Sequence, residues 1–194
     1  MKGQVPGFAV WFVGLPGSGK SALARGVRDH LLGRGMETVL LQMDERRKTY
    51  FPEPKYTAQE REAAYAMFVD EAVELAWQGR NVLMDGSAHK VVMRARARES
   101  IPRFAEVFVR CELDEAIRRE AGRPEGLVAA DLYRRALRRQ QTGEACPGLG
   151  EVIGVDVPFE EDPDAEFTID NTRLTREQTL EKVLHFLDTW IDSA

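Results

Sequence analysis

Cysteine is scarce in this sequence. Only Cys111 and Cys146 occur among 194 residues, and neither belongs to a C-x-x-C pair. The sequence therefore carries no zinc-binding or thiol-redox signature. Histidine is also rare, and His30 and His185 lie in predicted helices without ligand-like neighbours. Because an imidazole alone is not a site, we interpret both as structural.

Long hydrophobic runs and excess positive charge are missing as well. Gly14 and Pro16 interrupt the N-terminal apolar stretch before it reaches the length of a signal peptide or a membrane span. The formal net charge of -5 argues against a general nucleic-acid binder. We therefore expect one cytoplasmic domain over residues 1–194, with neither nucleic acid nor a membrane as its partner. The assembly state is left open, with a homodimer as the candidate.

One glycine-rich motif organises the chain. It fits the phosphate-loop pattern G-x-x-x-x-G-K-[ST] at every fixed position, and its residues are Gly14, Leu15, Pro16, Gly17, Ser18, Gly19, Lys20 and Ser21. In such loops the backbone N–H groups converge on phosphate oxygens at the start of a helix. We expect Lys20 to reach the β- and γ-phosphates of ATP and the Ser21 hydroxyl to ligate Mg²⁺.

Apolar runs alternate with amphipathic segments along the chain. The runs predict strands over 8–13, 38–43, 81–84, 106–111 and 167–170, with helices over 22–32, 57–79, 91–100, 114–120, 129–140 and 177–191. Thr57 and Glu60 predict a capping box, and the proline-containing segment 45–56 predicts a loop. This alternation predicts a three-layer α/β/α fold of the P-loop NTPase type, with a mostly parallel five-stranded sheet.

Two carboxylates follow predicted strands at the edge where ligands bind in such sheets. Asp44 is the candidate base for an acceptor hydroxyl, or a ligand of metal-bound water, although it could simply cap a turn. Asp85 is the candidate second carboxylate for Mg²⁺, although Asp-Gly is also common in turns. His89 follows this turn closely, so we expect it to face the acceptor.

Arginines flank the irregular segment after the fourth predicted strand. They are Arg118, Arg119, Arg123, Arg134, Arg135, Arg138 and Arg139. In small P-loop kinases this place holds a lid whose arginines neutralise charge on the transferred phosphoryl group. Arg119 and Arg123 border the predicted lid, about residues 121–150, and are the first candidates for that role. Arg94, Arg96 and Arg98 lie on one helix that we expect to be exposed.

Several further segments together resemble the adenylylsulfate kinase (APS kinase) family, whose members phosphorylate the 3′-hydroxyl of adenosine 5′-phosphosulfate (APS). The segments are 43–47, 111–113 with 118–119, 132–136, 154–160 and 170–172. Residues 154–160 are the most telling, since they are similar to the family pattern G-I-D-x-P-Y-E. The resemblance implies an ATP- and Mg²⁺-dependent kinase of sulfate assimilation.

The resemblance also implies roles by position. Asp44 would be the base or a metal-site carboxylate, and Arg47 and Arg61 would contact the phosphosulfate side of APS. Tyr56 would take the place of an aromatic residue that stacks on the APS adenine, and Thr172 would lie near the base of ATP.

The acceptor side departs from the family pattern. Gln42 and Met43 replace the first two residues of a D-G-D segment, Ala64 replaces an asparagine, and Val152 replaces an aromatic residue. The loop 84–90 differs, and residues 140–150 are additional. Two other functions therefore stay open: a P-loop kinase with a different acceptor, and a nucleotide-binding regulatory protein without turnover. The absence of an N-K-x-D motif argues against a GTPase.

Overall fold

A computed structural model describes residues 5–121 and 131–193. Five strands form one sheet: β1 (Ala9–Val13), β2 (Thr38–Gln42), β3 (Asn81–Asp85), β4 (Phe104–Arg110) and β5 (Phe167–Asp170). Their order is β2-β3-β1-β4-β5, and each neighbouring pair runs parallel. The strand that enters the phosphate loop is therefore central, and the predicted fold class and strands are confirmed.

Helices cover both faces of the sheet. They are α1 (Lys20–Gly33), α2 (Met43–Tyr50), α3 (Ala58–Trp77), α4 (Val91–Ser100), α5 (Leu113–Ala121), α6 (Leu132–Thr142) and α7 (Arg176–Asp192). Side chains of β1 alternate between the two cores, so Trp11 packs with α3 and α4 while Phe12 packs with α1 and α7. Within the described ranges, no helix combines the length and apolar character needed to cross a membrane.

The prediction of a loop over 45–56 is wrong in its first half, because α2 begins directly after β2. Acidic residues lie in its first turn and basic residues in its last turn, an arrangement that favours a short helix. Met43 and Arg47, one turn apart, are both buried. The prolines at 52 and 54 lie beyond the end of this helix, so they limit its length without preventing it.

The predicted capping box at the start of α3 forms only in part. Thr57 Oγ1 accepts the backbone N–H of Glu60 at 3.2 Å. The Glu60 carboxylate does not return this bond to Thr57, since it accepts the N–H groups of Lys55 and Tyr56. Through this second contact Glu60 holds the backbone of Tyr56, which is one of the predicted acceptor residues.

The expectation that Arg94 is exposed is wrong. Arg94 and Glu106 are both completely buried, with Arg94 Nε 3.0 Å from Glu106 Oε1. Glu106 lies on the face of β4 against which α4 packs. Arg94 also donates to the carbonyl groups of Ala88 and Glu160, so it joins the loop after β3 to a distant segment. The spacing of residues along α4 cannot reveal this ion pair, because its carboxylate, Glu106, lies on the strand β4.

Candidate functional site

The phosphate loop is held from three sides. Gly17 has a φ of +84°, and a Cβ there would lie 2.3 Å from the carbonyl oxygen of Ala116 on α5. Tyr133 Oη donates to the Pro16 carbonyl at 2.8 Å, and Asn171 Nδ2 donates to the Ser18 carbonyl at 2.8 Å. The loop therefore has a fixed shape at the N-terminal end of α1, where backbone N–H groups favour an anion.

A cavity of about 1600 Å³ runs along the carboxyl edge of the sheet. Its lining includes twelve of the residues to which the sequence analysis assigned a catalytic, binding or metal role: Pro16, Gly17, Gly19, Lys20, Ser21, Asp44, Arg47, Tyr56, Arg61, Asp85, Arg119 and Thr172. Gly14, Leu15, Ser18 and His89 do not line it. Arg123 lies outside the described residues. The cavity thus joins the phosphate loop to most of the predicted acceptor residues.

Polar groups of two neighbouring strand ends meet in this cavity. Gln42 and Asp85 are register partners on β2 and β3, and Gln42 Nε2 donates to Asp85 Oδ2 at 3.2 Å. Asp85 is buried, whereas Asp44 is exposed in the first turn of α2. Lys20, at the start of α1, is buried and donates to the Leu15 carbonyl at 3.1 Å.

Two buried arginines lie at the other end of the cavity. Arg47 Nη1 donates to Glu60 Oε1 at 3.2 Å, and its guanidinium carbon lies 5.3 Å from the centre of the Tyr56 ring. Arg61 Nη2 donates to the Glu151 carbonyl, while its buried Nη1 makes no hydrogen bond and lies 3.8 Å from Glu151 Oε2. Burial lowers the pKa of Arg61 below its ordinary value. A buried cation whose Nη1 makes only this long ion pair still has a donor to offer an anionic group.

Arg119 organises the opposite side of the phosphate loop. Its Nε donates to Glu115 at 2.7 Å, while Nη1 and Nη2 donate to the side chain and the carbonyl of Asn171 at 3.1 and 2.9 Å. Thr172 Oγ1 accepts the N–H of Glu112 at 3.0 Å. Arg119 therefore fixes the turn after β5 in this conformation. The described part of the predicted lid contains α6 and the segment that follows it.

Sequence reasoning missed the residues that build the wall behind the acceptor end. Tyr65 Oη accepts the N–H of Ala88 at 2.8 Å, and Trp11 Nε1 donates to the Gly86 carbonyl at 3.2 Å. His89 lies in the same loop but is buried, and this burial lowers its pKa to about 4. His89 is therefore neutral at pH 7. Aromatic residues at helical spacing signal a core, and nothing in that pattern shows which of them also hold a loop.

Comparisons with known proteins agree with this geometry. The family model for adenylylsulphate kinase matches residues 6–170. A probable bifunctional SAT/APS kinase 2 of Sorangium cellulosum is 29% identical over 94% of this chain, which spans only 29% of that protein. A probable adenylyl-sulfate kinase of Pyrococcus abyssi is 29% identical over 92% of this chain and 93% of its own length.

A solved structure gives the same result at the level of the fold. The APS kinase CysC of Mycobacterium tuberculosis, determined in complex with AMPPNP and APS, is 26% identical to this chain. The two superpose with a TM-score of 0.74 over 94% of this chain and 98% of that one. Since the family model also spans most of the sequence, from the first strand to the end of the fifth, this chain belongs to the adenylylsulphate kinase family.

Proposed function

We propose that this protein transfers the γ-phosphoryl group of ATP to the 3′-hydroxyl of APS, giving 3′-phosphoadenosine 5′-phosphosulfate. The observation that carries the proposal is that one cavity is lined by both the phosphate loop and two buried arginines. One end suits the phosphates of a nucleotide, and the other suits an acceptor that carries its own anionic groups. Membership of the family supports this choice of donor and acceptor.

The phosphate loop is the proposed site for the donor nucleotide. The backbone of residues 14–19 and the first turn of α1 would surround the phosphates, with Lys20 at the β- and γ-phosphates. Arg119 and Thr172 would border the base and ribose, since both line the cavity beyond the loop. The close packing of Gly17 on α5 keeps this site in shape before the nucleotide binds.

The residues at the strand ends fit Mg²⁺. Among the described residues, no group of three or more His, Cys, Asp or Glu side chains is arranged to hold a metal ion. Mg²⁺ needs no such cage, because it keeps several waters and binds through one or two carboxylates and the phosphates of its substrate. Ser21, Asp44 and Asp85 line one cavity; Ser21 and Asp85 are the proposed direct ligands, and Asp44 would contact the ion through a bound water. Bound there, Mg²⁺ would neutralise charge on the phosphates.

Asp44 is the proposed base. It is exposed at the start of α2 and lines the cavity, whereas Asp85 is buried. In the proposed step the 3′-oxygen forms a bond to the γ-phosphorus as the bond to the β-bridging oxygen breaks. The proton of the 3′-hydroxyl passes to the Asp44 carboxylate.

Arg61 and Arg47 are the proposed contacts for the phosphosulfate. Arg61 offers its Nη1, which makes no hydrogen bond and only a 3.8 Å ion pair with Glu151, while Arg47 is held in place by Glu60. Tyr56 lies beside Arg47 and would meet the adenine of APS. His89 is left out of this set, because it is buried and does not line the cavity.

The proposal is tested by measuring ADP release from Mg²⁺-ATP with and without APS. Lys20→Ala is the blank, and Lys182→Ala, an exposed lysine on α7, is the matched control. We expect an APS-dependent rate in the wild type and in Lys182→Ala that is lost in Lys20→Ala. Adenosine 5′-monophosphate, which has the 3′-hydroxyl but lacks the sulfate, should be a much poorer acceptor.

The alternative functions predict different results in the same assay. A kinase with another acceptor would bind a fluorescent ATP analogue but release no additional ADP when APS is supplied. A regulatory protein would bind the analogue and show no turnover with any hydroxyl acceptor. Either result would overturn APS as the substrate while leaving the nucleotide site intact.

A further inference from the structure

The segment 148–153 forms part of the wall at the acceptor end of the cavity. It follows α6, which ends at Thr142 with Gly143 in the left-handed conformation. The side chain of Arg139, in the last turn of α6, reaches this segment but does not itself line the large cavity. Any effect of Arg139 on the acceptor must therefore pass through the residues that it holds.

Arg139 makes two hydrogen bonds to the segment and a third to Asp156, which lies just beyond it. Its Nη1 donates to the Leu149 carbonyl at 2.9 Å, and its Nη2 donates to the Gly150 carbonyl at 3.1 Å and to Asp156 Oδ2 at 2.5 Å. The same Asp156 oxygen accepts the N–H of Val152 at 2.6 Å. One guanidinium thus fixes both carbonyls and, through Asp156, the N–H that follows them. Only a planar fork of donors can make these contacts together.

The segment 148–153, which Arg139 holds, is in close contact with Tyr56. A Cβ built on Gly150 would lie 2.2 Å from the Tyr56 carbonyl oxygen and 3.0 Å from its Cβ, so the two backbones are in close contact. Tyr56 has a φ of +55°, which residues other than glycine rarely adopt. Its N–H is held by Glu60 at 3.1 Å, and its ring lies beside Arg47. Gly150 therefore supports the backbone conformation in which this ring lies beside Arg47.

We propose that Arg139 is a positioning residue for the acceptor. Through Leu149 and Gly150 it holds Tyr56 beside Arg47, and so it sets the shape of the acceptor end without touching the substrate. The inference rests on the proposed function, which assigns this end of the cavity to the acceptor. It adds a residue outside the cavity that controls acceptor binding but leaves ATP binding unaffected.

Three variants and a neighbouring control test this role. Arg139→Ala removes the fork, Arg139→Lys keeps the charge but not the fork, and Gly150→Ala displaces Tyr56 directly. Arg138→Ala is the control, because Arg138 is 69% exposed and pairs only with the exposed Glu144 in the described structure. Amide hydrogen exchange of residues 55–61 is measured in the protein without substrates, and the KM for APS and for ATP is measured separately.

We expect Arg139→Ala and Gly150→Ala to speed exchange at 55–61 and to raise the KM for APS about tenfold or more, with the KM for ATP within about twofold of the wild type. The exchange rate and the KM for APS of Arg139→Lys should lie between those of Arg139→Ala and the wild type. Both quantities should be the same in Arg138→Ala as in the wild type. Unchanged exchange at 55–61 in Arg139→Ala would overturn the inference, and so would equal changes in both KM values.

The exchange measurement separates this inference from the proposed function. If the wild type does not use APS, the proposed function fails. The coupling of Arg139 to Tyr56 is then still decided by exchange in Arg139→Ala against Arg138→Ala. If the wild type uses APS, and Arg139→Ala and Arg138→Ala show the same exchange at 55–61 and the same KM values, the proposed function stands and the positioning role is rejected.

Discussion

The substitution Glu106→Gln should change how the stability of this protein depends on pH. Glu106 is completely buried, 3.0 Å from Arg94 and 3.6 Å from Arg98. Burial raises the pKa of Glu106 from 4.5 to about 7, against the opposing effect of the Arg94 charge. The folded protein therefore holds this proton more tightly than the unfolded chain does. Glutamine keeps the shape of the side chain but cannot ionise.

The sign of the effect follows from proton linkage. Because the folded pKa lies above the unfolded value, the stabilisation by this group is complete below about pH 4.5 and is lost as the pH rises through about 7. At about 1.4 kcal/mol per pK unit, the full loss is about 3 kcal/mol. The free energy of unfolding of the wild type should therefore fall, relative to that of Glu106→Gln, across this range.

Urea denaturation at about pH 5 and about pH 8 measures this difference, because most of the titration lies between those values. Other titrating groups are shared by both proteins and cancel in the comparison. Glu181→Gln, at an exposed position on α7, is the matched control, and its free energy of unfolding should change with pH as that of the wild type does. If the wild type and Glu106→Gln differ by the same amount at both pH values, the reasoning about Glu106 is refuted.

Three further substitutions address the site. Gly17→Ala should weaken nucleotide binding at least about tenfold, because its Cβ would lie 2.3 Å from the Ala116 carbonyl oxygen. Gly33→Ala is the control, since a Cβ there would have no atom within 4 Å. Equal nucleotide binding by the two variants would contradict this prediction. Asp44→Asn should lower kcat about 10²- to 10⁴-fold while an ATP analogue still binds, and full activity would reject it as the base. Arg61→Gln should raise the KM for APS about tenfold to hundredfold with the KM for ATP unchanged, and the reverse pattern in a steady-state assay would place Arg61 on the nucleotide side.

The sequence predicted the sheet and the phosphate loop well, because both depend on local patterns. Each strand is a short apolar run, and the loop is a contiguous motif. The missed helix α2 shows the limit of local reasoning. Two prolines dominated the interpretation of that segment, although they lie after the helix. Met43 and Arg47 are buried because other parts of the chain pack against this helix, and the sequence of one segment does not reveal such packing.

The acceptor end was harder to predict because its contacts join distant parts of the chain. Arg94 reaches Glu106 only because α4 packs on β4, and Gly150 reaches Tyr56 only because α6 directs the following segment back to the cavity. The sequence identified Arg47 and Arg61 through the family resemblance. It could not show that Glu60 holds the first of them or that the second keeps a buried donor without a hydrogen bond.

The buried indole of Trp11 gives the acceptor loop an internal optical label. Its ring is wholly enclosed between Tyr65 and Phe68, and its N–H donates to the Gly86 carbonyl. The emission of an indole depends on the hydrogen bond that its N–H makes and on the polarity around it. A movement of the loop after β3 would change the surroundings of a chromophore at the centre of the sheet, and replacing the other two tryptophans, Trp77 and Trp190, by phenylalanine would leave its emission alone to report that movement.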